Sequence, residues 1–145
     1  GGSIGTGKDG ITAEVVEVRS VEELTALGEE KIKGKIVFYN RPLDATLINT
    51  GAAYGGAVNQ RHKGAAEAAK FGAVGAIVRS MTTKLDDVPH TGSMKYDSAG
   101  VKIPGGAIST LAANKLSELL AVEPDLKFYF QMNCEIGRAS CRERV

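Results

Sequence analysis

Tryptophan is absent, histidine occurs twice, proline four times, and only two cysteines stand in 145 residues. Each scarcity excludes something. Cys134 and Cys141 form no CxxC pair and cannot make the disulfide framework that staples many small secreted domains, so cysteine usage leaves the compartment open. Basic and acidic side chains nearly balance, at 18 and 17 for a net charge of +1. A footprint for nucleic acid or an anionic membrane surface is therefore missing. No run approaches the roughly 18 consecutive apolar residues that a membrane span requires. No signal peptide opens the chain, and the start Gly1-Gly2-Ser3 reads as a cut from something longer.

What is present is glycine, 18 of it, and a composition 43% hydrophobic and 24% charged. Turns are therefore numerous, the core is built from small side chains, and the length predicts one domain. The end of the chain departs from this. Gly137 to Val145 has no apolar period and follows a clear terminal strand, so residues 136–145 read as a non-native tail and residues 1–135 as the domain. Arg138 to Val145 carries three Arg and one Glu; without it the net charge falls from +1 to −1.

The stretch from Tyr54 to Ser80 reads as one helix running into a buried strand. Val58, Ala65, Ala66 and Ala69 share a helical face of small residues that can lie close to a sheet. Gly72 ends the helix, and residues 73–78 are short, apolar and uncharged, as a strand covered on both faces should be. Upstream, residues 1–10 read as a flexible glycine-rich connector, since Gly2, Gly5 and Gly7 fit neither GxGxxG nor GxxxxGK[ST]. Residues 11–18 alternate as a strand. Ser20 and Glu23 form a capping box for a helix over 21–27, closed by Gly28. Residues 35–40 form a second strand and 43–56 a loop. Downstream of Ser80 a polar loop runs to about Ile103. A short strand over 105–109 follows, then a helix over 110–120 with Leu111, Leu116, Leu119 and Leu120 inward, and a last strand over 126–132. Strands alternating with helices predict an α/β fold with a small twisted mixed sheet flanked by helices.

Few residues carry chemistry. Asp86, Asp87 and His90 are the one candidate metal cluster, against which stands the tendency of adjacent carboxylates to point apart. His62, between Arg61 and Lys63, reads as part of a solvated face. Ser80, Ser93 and Ser109 sit in neither GxSxG nor SxxK, which argues against a serine nucleophile.

Four phrases in order carry a resemblance: Gly34-Lys35-Ile36-Val37, Gly64-Ala65-Ala66-Glu67-Ala68-Ala69, Gly72-Ala73-Val74-Gly75-Ala76 and Ile103-Pro104. Together they resemble a protease-associated (PA) domain. Gly2-Ser3-Ile4-Gly5-Thr6, Gly10-Ile11-Thr12-Ala13-Glu14-Val15, Ile77-Val78-Arg79-Ser80 and Pro89-His90-Thr91-Gly92 are similar to the non-catalytic domain of the carboxypeptidase Q family of di-zinc exopeptidases. The resemblance implies a domain that is not an enzyme by itself and has no cofactor of its own. Two zinc ions would be bound by the peptidase domain of a parent chain, because two histidines without an HExxH pattern cannot supply about three ligands per metal. It implies a secreted or periplasmic setting, a short peptide as substrate and possible homodimerisation. Within it, Arg79 would hold a peptide carboxylate with two parallel hydrogen bonds. Ser80, His90, Thr91 and Gly92 would line the surface facing the peptidase domain. Against this stand Arg79 as a plain strand-end residue and His90 as a turn residue. A different class of function, a stand-alone protein- or peptide-binding module like those of sorting receptors, fits the same domain.

Overall fold

In the computed structural model, which describes residues 2–46 and 50–134 (the side chains of residues 50, 53, 54 and 56 aside), the β-branched alternation of residues 11–18 becomes strand β1, Ile11–Val18. Ser20 Oγ accepts the Glu23 N–H at 3.0 Å and starts α1 (Val21–Leu27), while the Glu23 carboxylate accepts the backbone N–H of Arg19, not that of Ser20. Gly28, at φ 76°, ends α1 and leads into a short second helix, α2 (Glu29–Ile32). There follow β2 (Ile36–Tyr39), α3 (Thr50–His62), α4 (Gly64–Lys70), β3 (Gly75–Arg79), β4 (Gly105–Ile108), α5 (Thr110–Val122) and β5 (Lys127–Phe130).

The strands form one curled mixed sheet in the order β4-β3-β2-β1-β5. β1 to β4 are parallel, with Val15 opposite Ile36, Ile36 opposite Gly75 and Ala76 opposite Gly105; β5 runs antiparallel to β1. Alternation along the strands splits the core in two. Val18, Val37, Tyr39, Ala76 and Val78 pack with Leu24, Ile32, Ala65 and Ala68, beneath α1, α2 and α4. Val15, Ile36, Phe38 and Ile77 pack with Ala113, Leu116 and Leu120 of α5.

Three expectations need correction. The helix before β3 is broken at Lys63 into α3 and α4, and α3 begins at Thr50, inside the stretch read as a loop. Leu111 and Leu119 do not point inward but are 46% and 41% exposed, because the sheet takes the stripe Ala113, Leu116, Leu120. Residues 2–6 are tied down rather than free: Thr6 N–H donates to Met132 O at 3.0 Å, and Ser3 Oγ accepts the Gly105 N–H at 2.9 Å. The tail over residues 136–145 lies outside the described residues.

The helix break has a local cause. Tyr39 is fully buried and its hydroxyl donates to the carbonyl of Gly64 at 2.8 Å. A Cβ on Gly64 would lie 2.8 Å from the Tyr39 ring, so the helix can approach β2 only where a side chain is missing. Burial, aided by the nearby Glu67 charge, raises the Tyr39 hydroxyl well above its ordinary value of 10.0. The folded protein therefore resists an ionisation that the unfolded chain accepts, and stability present below pH 10 is lost above it. Denaturant titration at rising pH should show stability falling by up to about 1.4 kcal/mol per pH unit beyond pH ~10, with Tyr39→Phe flattening that slope. Gly64→Ala should destabilise by about 1–2 kcal/mol despite the better helix propensity of alanine, the cost of overpacking against the ring.

Candidate functional site

The parallel strands β2, β3 and β4 end on the same side, where α/β folds place their ligands. Arg79, the last residue of β3, leaves on the α5 face and is 9% exposed. Its Nη1 donates to Asn40 Oδ1 at 3.1 Å and to Asn114 Oδ1 at 2.7 Å, while its Nε is buried without a hydrogen-bond partner among the described residues. No carboxylate among them pairs directly with this guanidinium. Glu17 acts on it at one remove. It accepts from Asn40 Nδ2 at 2.7 Å and from Ser117 Oγ at 2.9 Å, which turns the Asn40 oxygen toward Arg79. Burial lowers the Arg79 guanidinium below its ordinary value, yet arginine stays cationic in proteins. An open hollow of about 470 Å³ lies over it, bounded also by Asn40, Asn114, Ser117, Arg19, Pro42 and Glu118, whose carboxylate lies 3.8 Å from Lys115 Nζ.

Ser80 is 1% exposed and ties two segments together, donating to Ile108 O at 2.7 Å and accepting the His90 N–H at 2.8 Å. His90 Nε2 lies 3.5 Å from Asp86 Oδ2. The preceding turn is fastened to the start of α5: buried Thr110 Oγ1 accepts the Asp86 N–H at 3.0 Å and donates to Lys84 O at 2.9 Å, and Ser109 Oγ donates to Asp87 Oδ1 at 2.8 Å while capping Ala112 N–H. Asp87 is thus engaged by Ser109, while His90 lies beside Asp86. This donor set does not fit zinc, which takes about three protein ligands at a catalytic site. Among the described residues no group of three His, Cys, Asp or Glu side chains gathers for a metal.

Thr91 and Gly92 lie elsewhere. They border a groove of about 970 Å³ whose floor includes Ala76 and Val78, on the face opposite Arg79. A Cβ on Gly92 would collide with the Arg61 guanidinium, so that guanidinium rests on bare backbone. The structure therefore joins Ser80 to His90 and Thr91 to Gly92, but sets Arg79 on the other side of the sheet from the last two.

Asn40, Asn114 and Glu17 were missed because single polar residues far apart in the chain carry no local pattern. Arg61 and Lys102, which border the groove, were missed for a different reason. Arg61 sits in a basic run that looks solvated, and only Gly92 opposite it, 31 residues on, discloses its place.

No protein-family model matches the chain. Over 119 residues it is 44% identical to carboxypeptidase Q of Xenopus laevis, a match covering 82% of this chain and 24% of that protein. Carboxypeptidase Q of Homo sapiens is 41% identical over the same length, covering 82% and 23%. The crystal structure of a peptidase M28 precursor from Shewanella amazonensis SB2B superposes with a TM-score of 0.84 at 31% identity, covering 90% of this chain and 29% of that one. An aminopeptidase from Aneurinibacillus sp. strain AM-1 shares the fold, with a TM-score of 0.54 at 17% identity. This chain spans about a quarter of the length of the curated relatives it matches. The resemblance read from the phrases between Gly2 and Pro104 is borne out, and so is the α/β fold.

The Thr110 anchor yields a direct expectation. Thr110→Val keeps the shape of a fully buried side chain but strands the Asp86 N–H and the Lys84 carbonyl. It should cost about 1–3 kcal/mol in denaturant midpoint and speed amide exchange over residues 84–90, with exchange in β1 unchanged.

Proposed function

We propose, from the premise that this chain is carboxypeptidase Q-like over most of its own length, that residues 1–135 form the non-catalytic protease-associated domain of a zinc exopeptidase. In this reading the domain covers the active-site cleft of the parent's peptidase domain and helps to select short peptides. The two zinc ions, their ligands and the hydrolytic chemistry belong to that peptidase domain. A secreted or periplasmic setting and a homodimer go with the same reading.

The observation that carries the substrate role is the state of Arg79. A buried guanidinium with a hollow above it, two amide oxygens on one nitrogen and no carboxylate in direct contact among the described residues is a cation awaiting an anion. The terminal carboxylate of a short peptide supplies one, joined to the guanidinium by a charge-assisted N–H···O bond. Ser80 holds the loop that carries His90 beside this end of the sheet, and Thr91 and Gly92 continue it onto the other face.

In the intact parent enzyme, Arg79→Ala should lower kcat/KM for short peptides by more than about tenfold, the equivalent of 1.4 kcal/mol from a charged hydrogen bond. The loss should fall mainly on KM. The same peptides with an amidated C-terminus should respond little, since they lack the group that Arg79 would hold. Unchanged kcat/KM for the free acids, or an equal loss for acids and amides, would overturn the assignment.

A further inference from the structure

We infer that the outer edge of β4 is a second binding place, one that takes a short extended peptide as an added strand. The reasoning does not involve Arg79 and holds whatever the parent's reaction. In the sheet order β4-β3-β2-β1-β5, β4 is an edge among the described residues. Ala76 N–H donates to Pro104 O, and Ser80 N–H to Ile108 O. By the alternation of a parallel ladder, Gly106 and Ile108 then face β3, while Gly105 and Ala107 present their backbone groups outward. The Gly105 N–H is taken by Ser3 Oγ at 2.9 Å. The Gly105 carbonyl and the N–H and carbonyl of Ala107 are left pointing away from the sheet, the hydrogen-bonding set that strand addition uses.

Unlike an ordinary sheet edge, this one lies in the 970 Å³ groove. Small residues make it accessible: β4 is Gly105-Gly106-Ala107-Ile108, and a Cβ on Gly105 would already press on Met94 Cε at 3.1 Å and Ala65 Cβ at 3.3 Å. The walls are Met94 and Tyr96 on one side and Met132 to Cys134 on the other. Methionine is an adaptable wall for varied apolar side chains. Tyr96 is fixed by its hydroxyl, which donates to Ile103 O at 2.6 Å and accepts the Ile4 N–H at 3.1 Å. Arg61 and Lys102 border the groove, and no carboxylate side chain does so among the described residues. The occupant that matches is a peptide of about three extended residues, roughly 10 Å long, with apolar side chains and a free carboxylate. A second copy of the chain fits less well, because its own β4 lies between the same walls and would bring them along.

The test is a titration of the full chain with N-acetyl-Val-Ala-Leu as the free acid, followed by calorimetry and by backbone amide NMR. One peptide should bind per chain, with the largest amide shifts at Ala107 and its neighbours in β4. N-methylation of the central peptide amide removes the strand-pairing donor without touching the protein, and should weaken binding at least about tenfold. Amidation of the C-terminus should weaken it at low salt and matter less as salt screens Arg61 and Lys102. Ala107→Pro, which deletes the outward N–H at an edge position, should abolish the shifts in β4. Equal affinity for the N-methylated peptide overturns the proposal, as does binding whose shifts are confined to the side chains of Asn40 and Asn114 around Arg79. Self-association of the chain without peptide-induced shifts at Ala107 overturns it too. Binding at Arg79 and binding at β4 are read at different nuclei, so either can fail alone.

Discussion

The hydrogen bond from the buried Tyr39 hydroxyl to the Gly64 carbonyl fixes where everything on that face of the sheet can go. With no Cβ at Gly64, α4 comes down onto the aromatic ring and buries Ala65 and Ala68 against Val37, Ala76 and Val78. An unbroken helix could not make that descent along its whole length, so the chain breaks at Lys63. The break releases the His62 carbonyl from its helical partner, and the N–H of Lys95 takes its place at 3.0 Å. That tether, together with the bonds of the Tyr96 hydroxyl to Ile103 and Ile4, holds residues 91–96 across the end of α3. It sets Gly92 on the Arg61 guanidinium and brings Met94 and Tyr96 over the small residues of β4. A contact within the core thus shapes a groove on the surface.

Much of the fold was legible where local chemistry and tertiary packing agree. β1 keeps the bounds read from its β-branched alternation, and Ser20 and Gly28 delimit α1 as their capping chemistry requires. The start of α3 was not legible because Gly51, Gly55 and Gly56 dilute any apolar period, and among its described side chains the buried ones are Ala57 and Gln60. Gln60 earns its burial through two hydrogen bonds to the backbone of Arg41, a contact that hydrophobic spacing cannot announce. On α5, two stripes of apolar residues overlap, and leucine content alone does not say which one the sheet covers. Ala113, small enough to let the helix approach Phe38 and Ile77, decides in favour of its own stripe and leaves Leu111 and Leu119 outside. Of the candidate site, the strand end at Arg79 and the loop after it were legible. The division between the two faces was not, since strand alternation sends Val78 and Arg79 opposite ways and a polar loop has no period from which to follow the change.

That division bears on what Arg79 can do. Burying a guanidinium costs much of its hydration, and a direct carboxylate partner is the usual recompense. Here no carboxylate among the described residues pairs with it directly: Glu17 spends its oxygens on Asn40 and Ser117 and reaches Arg79 only as the dipole of the intervening amide, and Glu118 stands on the wall of the hollow. An ion pair would have neutralised the charge and closed the hollow. Two neutral amide oxygens on a single nitrogen orient the guanidinium and leave its net charge standing. The cost of that burial is therefore only partly offset in the protein as it stands, and an anion entering the hollow recovers more of it than the same anion would gain at a solvated arginine. The groove along β4 works by the opposite means, with little fixed charge at its floor and backbone groups left over from a sheet that stops one strand short. A peptide could satisfy both kinds of incompleteness, one through its terminal charge and the other through its backbone, and the sheet between them keeps the two demands independent.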